Sequence, residues 1–103
     1  MKQSLLKQTL LISIASFMGT QPVIAVEITQ GMMLSSSCFS CHGTDGKSPG
    51  AIPSINGKSA KFISQALISY RDSTRPSTVM GRHAKGYSNS EIKMIAEYFS
   101  RLK

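Results

Sequence analysis

Apolar residues recur at helical spacing in two segments of the second half of the chain. Between Ser59 and Tyr70 they lie one, three or four positions apart and would form one helix face, made of Phe62, Ile63, Ala66, Leu67 and Tyr70. A second helix is predicted from Ser88 to about Leu102, because Ser88-Asn89-Ser90-Glu91 has the form of a capping box. Its apolar stripe consists of Ile92, Ile95, Ala96 and Phe99.

A third, shorter helix is predicted from Glu27 to Ser37, with Gly31 inside it. A glycine normally costs helix stability, so this one indicates a close crossing of two helices. Residues 43–57 and 73–87 are rich in glycine and proline and are predicted to be loops. No segment shows the alternation of apolar and polar residues that is typical of a β-strand. The pattern therefore predicts a small all-α domain with three main helices and two long loops, which are uncommon unless they serve a function.

The N-terminal segment has the pattern of a secretory signal peptide. Lys2 and Lys7 precede an apolar stretch at positions 10–18, and Val23 and Ala25 occupy the −3 and −1 positions of a cleavage site. The stretch is shorter than the roughly 20 residues of a membrane-spanning helix. We expect cleavage rather than retention as an anchor.

Cleavage would divide the chain into a signal peptide, residues 1–25, and a single mature domain, residues 26–103. In a bacterium the mature domain would be exported to the periplasm, with no membrane span left after cleavage.

The chain is basic, with 12 Lys and Arg against 5 Asp and Glu and a net charge of +7. Loss of Lys2 and Lys7 would leave ten basic residues against five acidic ones. These charges are dispersed, without the mixed aromatic and basic clusters of nucleic-acid binding, so we expect no nucleic-acid partner. A basic surface would steer the protein toward an acidic partner, or it would simply be solvated, and the sequence leaves both open.

Both cysteines lie in one motif, Cys38-Phe39-Ser40-Cys41-His42. C-x-x-C-H is the attachment signature of c-type haem, in which the two thiols form thioethers and the adjacent histidine binds the iron. A zinc site would have only Cys38, Cys41, His42 and His83 to draw on. A disulfide-exchange site would need a thiol-activating βαβ context, which the sequence lacks. We predict one covalent haem c, which would also stabilise a domain with a marginal core.

A second iron ligand is expected from one of the four methionines that follow the cleavage site, since a thioether is the usual partner of histidine in electron-transfer cytochromes. Met80 lies in the second predicted loop, which can bend across a porphyrin. The other three, Met32, Met33 and Met94, lie in predicted helices, where packing is the ordinary role. The alternative ligand is His83, which would lower the reduction potential. We expect His83 to be a solvated surface residue instead.

A ligand histidine usually donates its second ring N–H to a carbonyl or a carboxylate. Pro53, at the start of the segment Pro53-Ser54-Ile55-Asn56-Gly57, is well placed to offer its carbonyl to His42. Ile55 would then pack on the haem edge. The alternative is that this segment is an ordinary turn.

These motifs together resemble the class I cytochromes c, in the order Cys38 to His42, Pro53 to Gly57, then Met80 before a final amphipathic helix. The resemblance implies a small all-α fold wrapped around one haem. It implies thioether roles for Cys38 and Cys41, axial ligation by His42 and Met80, and a carbonyl role for Pro53.

The same resemblance implies that the first and last helices cross at a glycine and an aromatic residue. Gly31 and either Tyr98 or Phe99 would fill these places.

Two segments, Ala51 to Ile55 and Arg75 to Ser88, are similar to the cytochrome subunit of flavocytochrome c sulfide dehydrogenase. In that family the cytochrome takes electrons from a flavoprotein subunit that oxidises sulfide, so FAD is expected only on the partner. Many members carry two haem domains, whereas this chain has one C-x-x-C-H and would correspond to a single-haem form.

Three functions follow from these motifs. The first is an electron-transfer subunit bound to a sulfide-oxidising flavoprotein. The second is a free cytochrome that shuttles electrons to an oxidase or a photosynthetic reaction centre. The third, a haem enzyme or gas sensor, needs an open iron site that Met80 would fill. No catalytic base or nucleophile stands out, so we expect an electron carrier rather than an enzyme, with a downstream acceptor that the sequence does not specify.

Overall fold

The computed structural model describes residues 19–20, 22 and 27–103. The predicted signal peptide falls almost wholly outside these residues and stays a prediction. Throughout 27–103 the chain forms helices and connecting segments, without strands. The α-helices are α1 (Gln30–Ser35), α2 (Phe39–His42), α3 (Ala60–Arg71), α4 (Met80–Ala84) and α5 (Asn89–Arg101). Short 3-10 turns occupy Ser36–Cys38 and Thr44–Gly46. None of the helices in this described part is long and apolar enough to span a bilayer.

The two long helices begin at the side-chain caps that the sequence predicts. Ser59 Oγ accepts a hydrogen bond from the Phe62 N–H at the start of α3. At the start of α5, Ser88 Oγ accepts from the Glu91 N–H, and the Glu91 carboxylate accepts from the Ser88 N–H at 2.8 Å. This reciprocal pair is the predicted capping box, and it fixes where α5 begins.

The first helix begins later and continues further than the prediction. Thr29 Oγ1 accepts a hydrogen bond from the Met32 N–H, so Thr29 is the N-cap and α1 begins at Gln30 rather than at Glu27. A hydroxyl at this position satisfies an amide that would otherwise lack a partner. The chain then continues through the 3-10 turn Ser36–Cys38 into α2, so helical structure extends to His42.

The core forms where α5 packs against both α1 and α3. All four residues of the predicted α5 stripe, Ile92, Ile95, Ala96 and Phe99, are buried, as the spacing predicts. Ile63 of α3 packs in one cluster with Ile95, Ala96 and Phe99, and Leu67 lies at the edge of the same cluster. The prediction for Phe62 was wrong: its side chain is 52% exposed, with Lys58 Nζ 5.8 Å from the ring centroid, because Ile63 and Leu67 face the core instead.

Residues 73–87 contain a helix where the sequence predicts only loop. α4 packs against α3, and its last residue, Ala84, is fully buried. A helix this short is not stable on its own, so its contacts with α3 stabilise it. Met80 is therefore the first residue of a helix and not part of a free loop.

The first and last helices cross at Gly31, as the family resemblance implies. A Cβ atom at Gly31 would lie 2.8 Å from the Met94 carbonyl oxygen and 3.5 Å from Tyr98 Cβ. The aromatic residue at the crossing is therefore Tyr98, whereas Phe99 is buried in the core. No larger residue fits at position 31 unless the two backbones move apart.

We expect the Gly31→Ala variant to be destabilised. Alanine has the better helix propensity by about 1 kcal/mol, but overpacking against the Met94 carbonyl costs more, which leaves a net loss of about 1–2 kcal/mol. Urea unfolding followed by circular dichroism measures this change. Gly50→Ala is the matched control, because a Cβ there meets nothing within 4 Å. Equal stability of the two variants would contradict the close crossing.

Candidate functional site

The C-x-x-C-H motif lies on continuous helical backbone. Cys38 ends the 3-10 turn Ser36–Cys38, and Cys41 and His42 complete α2. Residues three apart on a helix lie on the same side, so the two cysteines face one direction. No disulfide joins them, and Cys41 is exposed whereas Cys38 is half-buried at the edge of the core. The motif thus presents two sulfur atoms, not bonded to each other, from one helical segment.

Burial raises the pKa of the Cys38 thiol above its ordinary value, and a hydrogen bond with Ser37 acts in the opposite direction with a smaller effect. Cysteines that work in disulfide exchange have lowered pKa values, which keep the thiolate available. Cys38 therefore lacks the electrostatic environment of a disulfide-exchange site.

His42 is oriented by a backbone carbonyl. Its Nδ1 lies 2.6 Å from the carbonyl oxygen of Pro53, the partner that the sequence analysis expected. A carbonyl only accepts hydrogen bonds, so Nδ1 is the donor, and in the neutral ring the lone pair is then on Nε2. Neutral imidazole with one nitrogen held in this way is the form that binds a metal ion.

The chain turns sharply after His42. Gly43 has a φ of +85°, and a Cβ there would collide with the Lys47 carbonyl. Only glycine adopts this conformation at no steric cost. The turn sends residues 44–57 back along α2, which brings Pro53 to the imidazole.

Gly46 holds this returning segment in place, a role that the sequence analysis did not assign. Its carbonyl accepts hydrogen bonds from the N–H groups of Ile55, at 2.9 Å, and Asn56, at 3.2 Å. Gly57 N–H donates to the Phe99 carbonyl at 2.9 Å, which ties the segment to α5. The dipeptide Asp45-Gly46 is a turn signal, but it does not reveal a pairing with residues nine and ten positions away.

Ile55 is half-buried and packs against the core cluster. Its contact with a haem edge stays a prediction. Its neighbour Ile52 is 43% exposed, next to the proline that bonds His42. At the second candidate ligand, Met80, the preceding residue Val79 is 51% exposed. Apolar surface therefore adjoins both candidate iron-binding residues.

Met80 and His83 lie three residues apart on α4, one turn from each other. The Met80 side chain is half-buried, whereas His83 is exposed. This difference favours Met80 as the residue that faces a buried group, although its role as a ligand stays a prediction. Of the other methionines, Met33 is 65% exposed, and Met94 contributes its carbonyl to the Gly31 crossing.

The residues present fit a covalent haem. Two unlinked thiols lie on one helical turn, an imidazole presents a lone pair at Nε2, and a thioether comes from a separate helix. This donor set is that of a c-type haem with histidine and methionine ligands. In the part of the chain that the structure describes, no three His, Cys, Asp or Glu side chains gather into a metal-binding group.

Comparison with known proteins gives an independent result. No protein-family model matches the chain. Over 74 residues the chain is 58% identical to the cytochrome subunit of sulfide dehydrogenase from Chlorobaculum tepidum, which covers 72% of this chain and 67% of that protein. It is 37% identical over 68 residues to cytochrome c-554(548) from Halomonas halodenitrificans, covering 62% of this chain and 82% of that protein.

A third relative is longer. The thiosulfate dehydrogenase electron acceptor of Stutzerimonas stutzeri is 36% identical over 69 residues, which is 63% of this chain but only 32% of that protein. The chain therefore corresponds to about one third of this relative. The helical fold, the C-x-x-C-H geometry and the two better-covered relatives agree, and the chain belongs to the class I cytochromes c.

Proposed function

We propose that the chain is the single-haem electron-transfer subunit of a sulfide dehydrogenase, in which it accepts electrons from a sulfide-oxidising flavoprotein subunit. The 58% identity with a protein described as such a cytochrome subunit carries this proposal. The electron-carrier role agrees with the other relatives, which are described as cytochromes or electron acceptors.

The residues that would hold the haem are those of the candidate site. Cys38 and Cys41 would form the thioethers, and His42 and Met80 would bind the iron. When bound, the haem supplies a one-electron couple between ferrous and ferric iron. The Pro53 carbonyl keeps the hydrogen of His42 on Nδ1 and holds the ring in one orientation. Ile55 would cover part of the haem edge.

The remaining assignments follow from the same proposal. Residues 1–25 would be removed on export, and residues 26–103 would function in the periplasm. FAD would be bound only by the flavoprotein partner. The polypeptide itself would perform no bond chemistry, because its task is to hold one redox centre and present it to two partners in turn.

The partner assignment is tested by co-elution. The protein is co-expressed with the candidate flavoprotein and analysed by size-exclusion chromatography at about 0.1 M and about 1 M salt. Charge interactions are screened beyond roughly 10 Å at the lower concentration and beyond roughly 3 Å at the higher one. We expect haem and flavin absorbance in one peak at both salt concentrations, because a permanent interface is large and apolar.

A free shuttle would behave differently. It would elute as a small monomer even at the lower salt concentration, without flavin in the peak, and sulfide plus the flavoprotein would not reduce its haem. That combination would reject the subunit assignment while leaving the cytochrome assignment intact.

A further inference from the structure

A surface cavity of about 310 Å³ lies between the C-terminal end of α3 and the first turn of α4. Three cationic residues, Arg75, Arg82 and Lys85, line it. The other lining residues are Tyr70, Ser73, Ser77 and Thr78, which carry hydroxyl groups, together with Pro76 and Gly81. We call this cavity the basic pocket. None of the residues that line it is among those assigned to hold the haem.

The positive charge of the basic pocket is not neutralised by the protein. No acidic residue lines the cavity. Among the described residues, the only ion pairs are Arg71 with Asp72 and Lys93 with Glu97. Asp72 is the acidic residue closest to the pocket in sequence, and its carboxylate is held by Arg71 Nε at 3.2 Å. Three cations around one cavity repel each other, and an anion between them would remove that cost.

The loop that carries Arg75 is held by the end of α3. The Ser69 carbonyl accepts hydrogen bonds from the N–H groups of Thr74, at 3.0 Å, and Arg75, at 3.2 Å. The Arg75 guanidinium lies over the Tyr70 ring, with Cζ 4.9 Å from the ring centroid. Cation–π contact of this kind fixes the direction of the guanidinium. Less side-chain entropy is therefore lost when Arg75 binds a ligand.

Ser77 adds an oriented hydroxyl. Its Oγ accepts a hydrogen bond from the Gly81 N–H at 2.9 Å. The hydroxyl hydrogen of Ser77 is then available to a ligand in the cavity. The residues of the basic pocket thus carry two guanidinium groups, one ammonium group and at least one neutral hydroxyl donor.

We propose that the basic pocket binds a small tetrahedral oxyanion with two negative charges, of the sulfate or phosphate type. Cationic and hydroxyl groups on several residues around one cavity suit four oxygens around one centre, and a planar carboxylate would leave part of them unused. Two negative charges offset two of the three cations. The proposal rests on the pocket residues alone and does not depend on the sulfide dehydrogenase assignment.

Isothermal titration of the oxidised holoprotein with sodium sulfate tests the proposal, at an ionic strength kept constant with sodium chloride. We expect saturable one-to-one binding. The double variant Arg75→Gln/Arg82→Gln removes two charge-assisted hydrogen-bond donors, so the dissociation constant should rise at least about tenfold. Unchanged visible absorption and circular dichroism spectra would show that this variant is folded.

A matched pair of single variants separates a site from general charge. Lys85→Gln and Lys61→Gln each remove one exposed ammonium group. Lys61, however, lies in the first turn of α3, nine residues and about 14 Å along the helix from Tyr70, which lines the basic pocket. We expect Lys85→Gln to weaken sulfate binding severalfold and Lys61→Gln to change it less than about twofold, because of screening.

Three results would overturn the proposal. The first is titration without saturation. The second is an equal loss of affinity in Lys85→Gln and Lys61→Gln, which would indicate attraction by net charge. The third is acetate binding as tightly as sulfate, which would point to a carboxylate, and hence to an acidic side chain of a partner, as the occupant.

Discussion

A variant with both Cys38 and Cys41 replaced by alanine is expected to lose all haem on extraction with acidified acetone. The unaltered protein should retain it, because two thioethers would join the haem to α2 and its preceding turn. Stability should fall as well, since the described part of the chain buries few large apolar side chains: Ile63, Ile92, Ile95 and Phe99. Loss of the haem would remove a large apolar group from a domain whose own core is small, so the melting temperature should drop by on the order of 10 °C or more.

Mass spectrometry of the mature protein provides the direct measurement. We expect the mass of the polypeptide plus one haem, with no thiol available for alkylation. The single variants Cys38→Ala and Cys41→Ala should keep haem through one thioether, and Ser40→Ala, an exposed position inside the motif, should behave like the unaltered protein. Two alkylated thiols, or a disulfide between Cys38 and Cys41, would contradict covalent attachment.

Replacement of Met80 by alanine is expected to abolish the weak near-infrared band of sulfur-to-iron ligation in the oxidised protein. The reduction potential should fall by on the order of tenths of a volt, because a thioether favours ferrous iron and axial ligands set potentials over roughly 0.8 V. Near-infrared absorption and spectroelectrochemistry measure the two effects. Met33→Ala is the matched control, since this methionine is 65% exposed on α1.

His83→Ala decides between the two candidate ligands on α4. If Met80 binds the iron, this variant should keep the near-infrared band and a potential close to that of the unaltered protein. If instead His83→Ala changes the spectrum and Met80→Ala does not, the iron is bound by two histidines. The partial burial of Met80 and the exposure of His83 support the first outcome.

The parts of the fold that could be predicted from the sequence are those with local causes. The capping box at Ser88 and Glu91 fixes the start of α5, and the spacing of Ile92, Ile95 and Phe99 fixes the face that is buried. Each signal involves residues within one or two turns. The roles of the motif residues were likewise read from spacing, and the iron ligands among them stay predictions.

The features that escaped prediction depend on contacts distant in sequence. α4 exists because Ala84 is buried against the rest of the domain, and no periodicity within five residues reveals that. Phe62 shares its helical spacing with Ile63, and only the position of α5 decides which of them faces inward. The pairing of Gly46 with Ile55 depends on how a loop closes rather than on propensity.

The acceptor for His42 is main chain, and this has an evolutionary consequence. A carbonyl is present whatever side chain occupies position 53, so point mutations cannot delete the acceptor itself. The number of residues between His42 and Pro53 is constrained, however. The hydrogen bonds to the Gly46 carbonyl fix the position of the Pro53 carbonyl. Across related sequences, insertions and deletions between residues 44 and 52 should therefore be selected against more strongly than most side-chain replacements there. Gly46 and Asp45 are exceptions, because their positive φ disfavours most side chains.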